Sequence, residues 1–180
     1  YGDELSLSTL SGGSSDVPGA FSFDTPTETP NAGTYTADVT FTPTDNTNYN
    51  NVSGTVDVNV LKADPFVDTW PNASAILYGE ELSMSTLTGG NADVAGTFSF
   101  DAPTTTPNAG IYYADVTFMP TDNLNYNDIS GTVLVLVSEA NPVVDTWPTA
   151  TDITYGDELS LSTLSGGNAD VAGTFSFDTP

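Results

Sequence analysis

The sequence contains no cysteine, no histidine, no arginine and no glutamine, and its only base is Lys62. Each absence closes a class of chemistry. Without histidine or cysteine, nucleophilic catalysis of the serine or cysteine type has neither its base nor its thiolate. Zinc sites lose their usual nitrogen and sulfur ligands for the same reason. Disulfides are impossible, so the redox compartment cannot be read from sulfur chemistry. Side-chain cross-links fail as well: a Thr–Gln ester needs glutamine, and a Lys–Asn isopeptide in every repeat needs a lysine where the next repeat has Glu139. No apolar run reaches the roughly 20 residues of a membrane-spanning helix, so no direct membrane insertion of this segment is expected. No secretory leader appears, and no stretch shows helical periodicity.

Acid is the most conspicuous presence. Twenty-four acidic residues against one base give a net charge of −23 at pH 7. Such a surface repels nucleic acid and anionic membranes, and neither is an expected partner. It attracts divalent cations and suits salty water, where screening weakens self-repulsion. A hydrophobic content of 38% with 11% aromatics is too high for simple disorder.

The chain also repeats itself. Tyr1-Gly2-Asp3-Glu4-Leu5 recurs as Tyr78-Gly79-Glu80-Glu81-Leu82 and as Tyr155-Gly156-Asp157-Glu158-Leu159. Residues 1–77 align on 78–154 without a gap and with 52 identities. A fixed period without insertions implies stacked, nearly identical units. Copies supply length, valency or polymer geometry, whereas catalysis needs one constellation, so no enzyme is expected. Polar joints at Ala63-Asp64-Pro65 and Ala140-Asn141-Pro142 divide the chain into 1–62, a repeat lacking its first strands, 63–139, a complete repeat, and 140–180, the N-terminal part of a third. Ends that fall inside repeats imply a window on a longer array. Completion by the end pieces of neighbouring chains is the alternative, disfavoured because residues 155–180 duplicate 1–26.

Within the complete repeat, extended pieces are expected at about 66–70, 74–78, 82–87, 96–101, 110–119 and 131–138. Tyr112, Ala114, Val116 and Phe118 share one face, as do Val133, Val135 and Val137, and this period of two marks half-buried antiparallel strands. Phe98 and Phe100 bring large apolar area from the opposite direction. The expected fold class is all-β, with two facing sheets in each unit.

Four strings carry a resemblance. Tyr-Gly-Asp-Glu-Leu-Ser-Leu-Ser-Thr-Leu-Ser-Gly-Gly is followed by Ala-Gly-Thr-Phe-Ser-Phe, Pro-Asn-Ala-Gly-Thr-Tyr and Phe-Thr-Pro-Thr-Asp-Asn-Thr-Asn-Tyr-Asn. Together they resemble the bacterial immunoglobulin-like repeats of the MBG/YDG type, found in tandem in very long secreted and surface-anchored proteins. The resemblance covers the whole chain and implies tandem immunoglobulin-like β-sandwich domains with a 77-residue repeat. It further implies an extracellular or cell-surface setting, in stalks, adhesins or filaments, and carries no catalytic residues. Neighbouring repeats of the same longer chain are then the first partners.

Candidate sites remain. Calcium favours hard oxygen ligands, and the polar loops offer Asp45 in the first repeat and Asp122 and Asp128 in the second, among asparagines. The spacing departs from an EF-hand, and side chains that satisfy their own backbone are the plainer account. Calcium-assisted carbohydrate binding is the alternative function. Asn51-Val52-Ser53 and Asn72-Ala73-Ser74 fit the glycosylation pattern at Asn51 and Asn72. Glu80-Glu81 is the obvious carboxylate pair, read as a solvated strand start. Finally, Thr34, Thr36, Thr42, Asp57 and Asn59 of the first repeat become Ile111, Tyr113, Met119, Leu134 and Leu136 in the second. These five are expected to form an apolar patch for lateral contact, allowing chains to associate into a filament.

Overall fold

The computed structural model describes residues 1–178, and it is all-β. The first repeat contributes β1 (Gly19–Phe23), β2 (Gly33–Pro43) and β3 (Val52–Val60), hydrogen-bonded in that order as an antiparallel sheet. The complete repeat contributes β4 (Val67–Thr69), β5 (Asn72–Ala73), β6 (Ile76–Leu77), β7 (Leu87–Thr88), β8 (Asn91–Ala92), β9 (Gly96–Phe100), β10 (Gly110–Pro120) and β11 (Ile129–Ser138). The third contributes β12 (Val144–Thr146), β13 (Thr149–Ala150), β14 (Leu164–Ser165) and β15 (Asn168–Ala169). Three single-turn 3-10 segments stand at Leu5–Leu7, Leu82–Met84 and Leu159–Leu161, one per repeat.

In the complete repeat the sheet order is β6-β11-β10-β9. The outer pairings of β10 are antiparallel, whereas β6 joins β11 in parallel through Ile76 and Val137. Alternation along β10 and β11 sends Ala114, Val116, Val133, Val135 and Val137 to one face, where each is at most 5% exposed. Ile76 and Leu82 complete this buried cluster, and Trp70, Ala73, Leu87 and Phe98 pack against it. Two short two-stranded sheets, β4–β8 and β5–β7, complete the strands of this repeat, and Ala73 and Leu87 of the latter are among the residues packed against the cluster.

The expected strand over 82–87 is a correction. Leu82 and Ser83 alternate with apolar neighbours, but their amides donate to the Thr105 and Pro103 carbonyls at 2.9 and 2.7 Å. Those long-range bonds curl the segment into a 3-10 turn, with Ser85 N closing on Leu82 O at 3.0 Å; the backbone is extended again at Ser85, and strand pairing resumes at β7. Leu82 is thereby driven to 2% exposure.

The same side chains are less buried outside the complete repeat. Val56, Val58 and Val60 of β3 are only half-buried, although their counterparts on β11 are core. The first repeat carries nothing equivalent to β4, β5 and β6 among the described residues.

Candidate functional site

The polar loop after β10 is the best-built polar feature of the molecule. Asp122 opens it: its carboxylate accepts Asn125 N at 3.3 Å and Asn125 Nδ2 at 2.8 Å. Tyr126 N closes the turn on Asp122 O at 3.2 Å. These local bonds follow from an aspartate three residues before an asparagine, which is the side-chain–backbone geometry of a polar turn.

The turn then reaches another repeat. Asn125 is only 4% exposed. Its Oδ1 accepts the Ala32 amide at 2.8 Å, and its Nδ2 donates to Asn31 Oδ1 at 3.1 Å. Beneath it the joint residue Ala63 forms a parallel bridge with Tyr126. Ala63 N donates to Asn125 O, and Asn127 N donates to Ala63 O, both at 2.9 Å. Asn127 Nδ2 donates to Asp64 Oδ1 at 2.6 Å. Lys62, the sole base, donates its ammonium to Asn123 O at 2.6 Å. Tyr1 meets Tyr126 edge-to-face with ring centroids 5.4 Å apart, and Pro65 is buried. The joint is therefore a clamp, with one loop of the second repeat held by three separate segments of the first repeat and linker.

The first repeat has the same loop without a clamp. Asp45 accepts Asn48 N at 3.2 Å and Asn48 Nδ2 at 2.8 Å, yet Asn48 is exposed. The Asn48 amide bonded to Asp45 holds that carboxyl below the usual aspartate range. On the acceptor side, Asn108, Ala109, Glu139, Ala140 and Asn141 stand where Asn31, Ala32, Lys62, Ala63 and Asp64 stand at the clamp, and Asn141 and Pro142 are exposed.

The remaining candidate residues fall as follows. The carboxylates of Asp45 and Asp122 are engaged by asparagine amides, and Asp128 is exposed at the loop's far end. Among the described residues no three acidic side chains converge on one point. Glu80 and Glu81 serve neighbouring turns: Glu80 accepts Leu77 N at 2.8 Å, and Glu81 accepts the Ser83 hydroxyl at 3.2 Å. Asn51 and Asn72 are both exposed.

Of the five patch residues, four come together. Ile111 lies directly opposite Leu136, and Tyr113 opposite Leu134, with exposures between 47% and 67%. Met119 is separate: it sits against Thr97 near the far end of β10, with Asp115 and Thr117 between it and Tyr113 on the same face. Sharing a face was legible from alternation, but distance along an eleven-residue strand breaks the patch. In the first repeat the same place is polar, and Thr36 donates its hydroxyl to Asp57 at 2.7 Å.

No helix among the described residues is long and apolar enough to cross a membrane. No protein-family model matches the chain, and no curated protein matches it.

Proposed function

We propose that the chain is a non-catalytic structural array of tandem immunoglobulin-like units, serving as an extracellular stalk or filament on a bacterial cell surface. The observation that carries this reading is the clamp at Asn125. Long-range hydrogen bonds tie the loop of one repeat to its predecessor, whereas the other side-chain hydrogen bonds among the described residues stay within one repeat. Devices that fix the angle between repeats suit a part whose work is reach and stiffness. The resemblance to MBG/YDG-type repeats supports the setting, and a charge of −23 supports a hydrated surface that keeps anionic partners away.

The rival is a calcium-assisted carbohydrate-binding module, and titration calorimetry separates the two. A structural array gives no heat with a panel of bacterial and host glycans, with or without calcium. Saturable glycan binding that requires calcium would replace the stalk reading with the rival.

A specific observation also favours lateral bundling: the exposed Ile111, Tyr113, Leu134 and Leu136 cluster replaces a polar surface in the preceding repeat. Leu134→Asp with Leu136→Asn removes side-by-side association of the chain in electron micrographs if that cluster makes the contact. Unchanged bundles would dismiss it.

A further inference from the structure

The outer face of the complete repeat carries more than the four clustered residues. β6 lies beside β11 with Leu77 paired to Ser138. Its neighbour Ile76 is buried, so Leu77 points outward with Leu134 and Leu136. Its counterpart in the third repeat is Thr154. An apolar surface thus crosses three adjacent strands, through Leu77, Leu136, Leu134, Ile111 and Tyr113. At 47% to 67% exposure these side chains present on the order of 600 Å², the upper end of what single chains commonly leave open.

Leu134 also removes a charge, because Asp57 stands in its place in the first repeat. Asp115 follows Tyr113 on the same face, and Asp101 lies beside it, its amide donating to Asp115 O at 3.0 Å. The apolar surface itself holds no acid. In a chain of net charge −23, a basic partner is drawn to the acids elsewhere, whereas a second copy is repelled by them and meets least resistance here. Direction follows from the same charges. The loop after β10 meets the preceding repeat, and β11 leads from the other end of the hairpin to the joint at Ala140. Successive joints therefore lie at opposite ends of these strands. Stacked with strands parallel, two copies would set Asp115 at one level in both. With strands reversed, Leu134 of each lies over Leu136 of the other, and the two Asp115 side chains move to opposite ends.

We propose that this face pairs with the same face of a second copy of the chain running in the opposite direction. The contact is isologous, so it closes with two molecules. Two such faces together bury about 1,200 Å², where specific interfaces begin. The pairing rests on the lateral-contact reading of this cluster and is independent of the stalk reading. On the stalk reading, it joins arrays that reach toward each other from facing surfaces.

Sedimentation velocity of the full 180-residue chain over a concentration series, in high salt to screen its charge, should show a monomer–dimer equilibrium. Leu134→Asp abolishes the dimer and keeps the circular dichroism of the parent, since the first sheet carries Asp57 at the same position. Leu77→Thr weakens pairing on the order of tenfold. Direction is read with a short bis-maleimide, which the absence of cysteine makes site-specific. Thr132 and Ser138 are exposed on β11 and stand about 20 Å apart along it. Thr132→Cys mixed with Ser138→Cys gives cross-linked dimers, and neither variant gives them alone. A chain that stays monomeric at every concentration overturns the pairing, as does a folded Leu134→Asp or Leu77→Thr chain that associates like the parent. Cross-linking of Thr132→Cys to itself, with Leu134→Asp still dissociating the pair, overturns the proposed direction and keeps the lateral contact. Each of these failures leaves the clamp at Asn125, and the structural reading built on it, untouched.

Discussion

Replacing Asn125 by alanine isolates the clamp, because the first repeat supplies an internal control. The Asn125 side chain makes one bond within its own loop, to Asp122, and two across the joint, to Asn31 and Ala32. Asn48 makes the local bond alone, to Asp45. At about 1 kcal/mol net per hydrogen bond, Asn125→Ala costs roughly 3 kcal/mol and Asn48→Ala roughly 1. The difference of about 2 kcal/mol is the share of the joint, a factor of about 30 in its closing equilibrium. Amide hydrogen exchange reads that factor locally. The Ala32 amide, which donates to Asn125 Oδ1 at 2.8 Å, is protected in the parent chain. Its counterpart Ala109, outside any clamp, exchanges fast. Asn125→Ala should raise exchange at Ala32 about 30-fold if opening of the joint limits it, while Asn48→Ala should leave it unchanged. Equal exchange at Ala32 in both variants would refute the reasoning, because the clamp would then contribute nothing beyond a polar turn.

Two further outcomes follow from the contrast between repeats. Val135 is fully buried and Val58, its counterpart, half-buried; Val135→Ala should cost roughly 2 kcal/mol in urea unfolding and Val58→Ala about 1 or less. A larger loss at Val58 would mean that the first repeat is covered in solution. The Asp45 carboxyl, lowered by the Asn48 amide, should titrate below the ordinary aspartate value near 3.9 in a carbon-detected NMR titration. A depressed folded value stabilises the turn above the unfolded pKa, and that contribution disappears as pH falls through the folded one. Asn48→Ala should return the titration toward 3.9; a titration indifferent to Asn48 would remove the assigned cause.

The long strands were legible because their chemistry is local. Alternation of Tyr112 to Phe118 and of Val133 to Val137 names both the strand and its buried face, and β10 and β11 fall where that pattern puts them. The 3-10 turn at Leu82 was not legible, because Leu-Ser-Met-Ser alternates like a strand and the bonds that curl it come from Pro103 and Thr105. The clamp was illegible for a stronger reason. Its loop reads as an acid- and amide-rich turn suited to cations or to its own backbone, and the partners of Asn125 lie more than 90 residues away at Asn31 and Ala32. One signal was available: Asn31, Asn48 and Ala63 are all unchanged in the following repeat, at Asn108, Asn125 and Ala140, although Lys62 and Asp64 become Glu139 and Asn141.

The central claim is that consecutive repeats are held at a fixed angle by the loop around Asn125, so that the array is stiff. Residual dipolar couplings measured on the full chain in a weakly aligning medium test it most directly. The account predicts that couplings from residues 1–62 and from residues 63–139 fit a single alignment tensor, of one magnitude and orientation, and that Asn125→Ala splits the fit in two. Two independent tensors in the parent chain would contradict it, for the repeats would then be beads on a loose string.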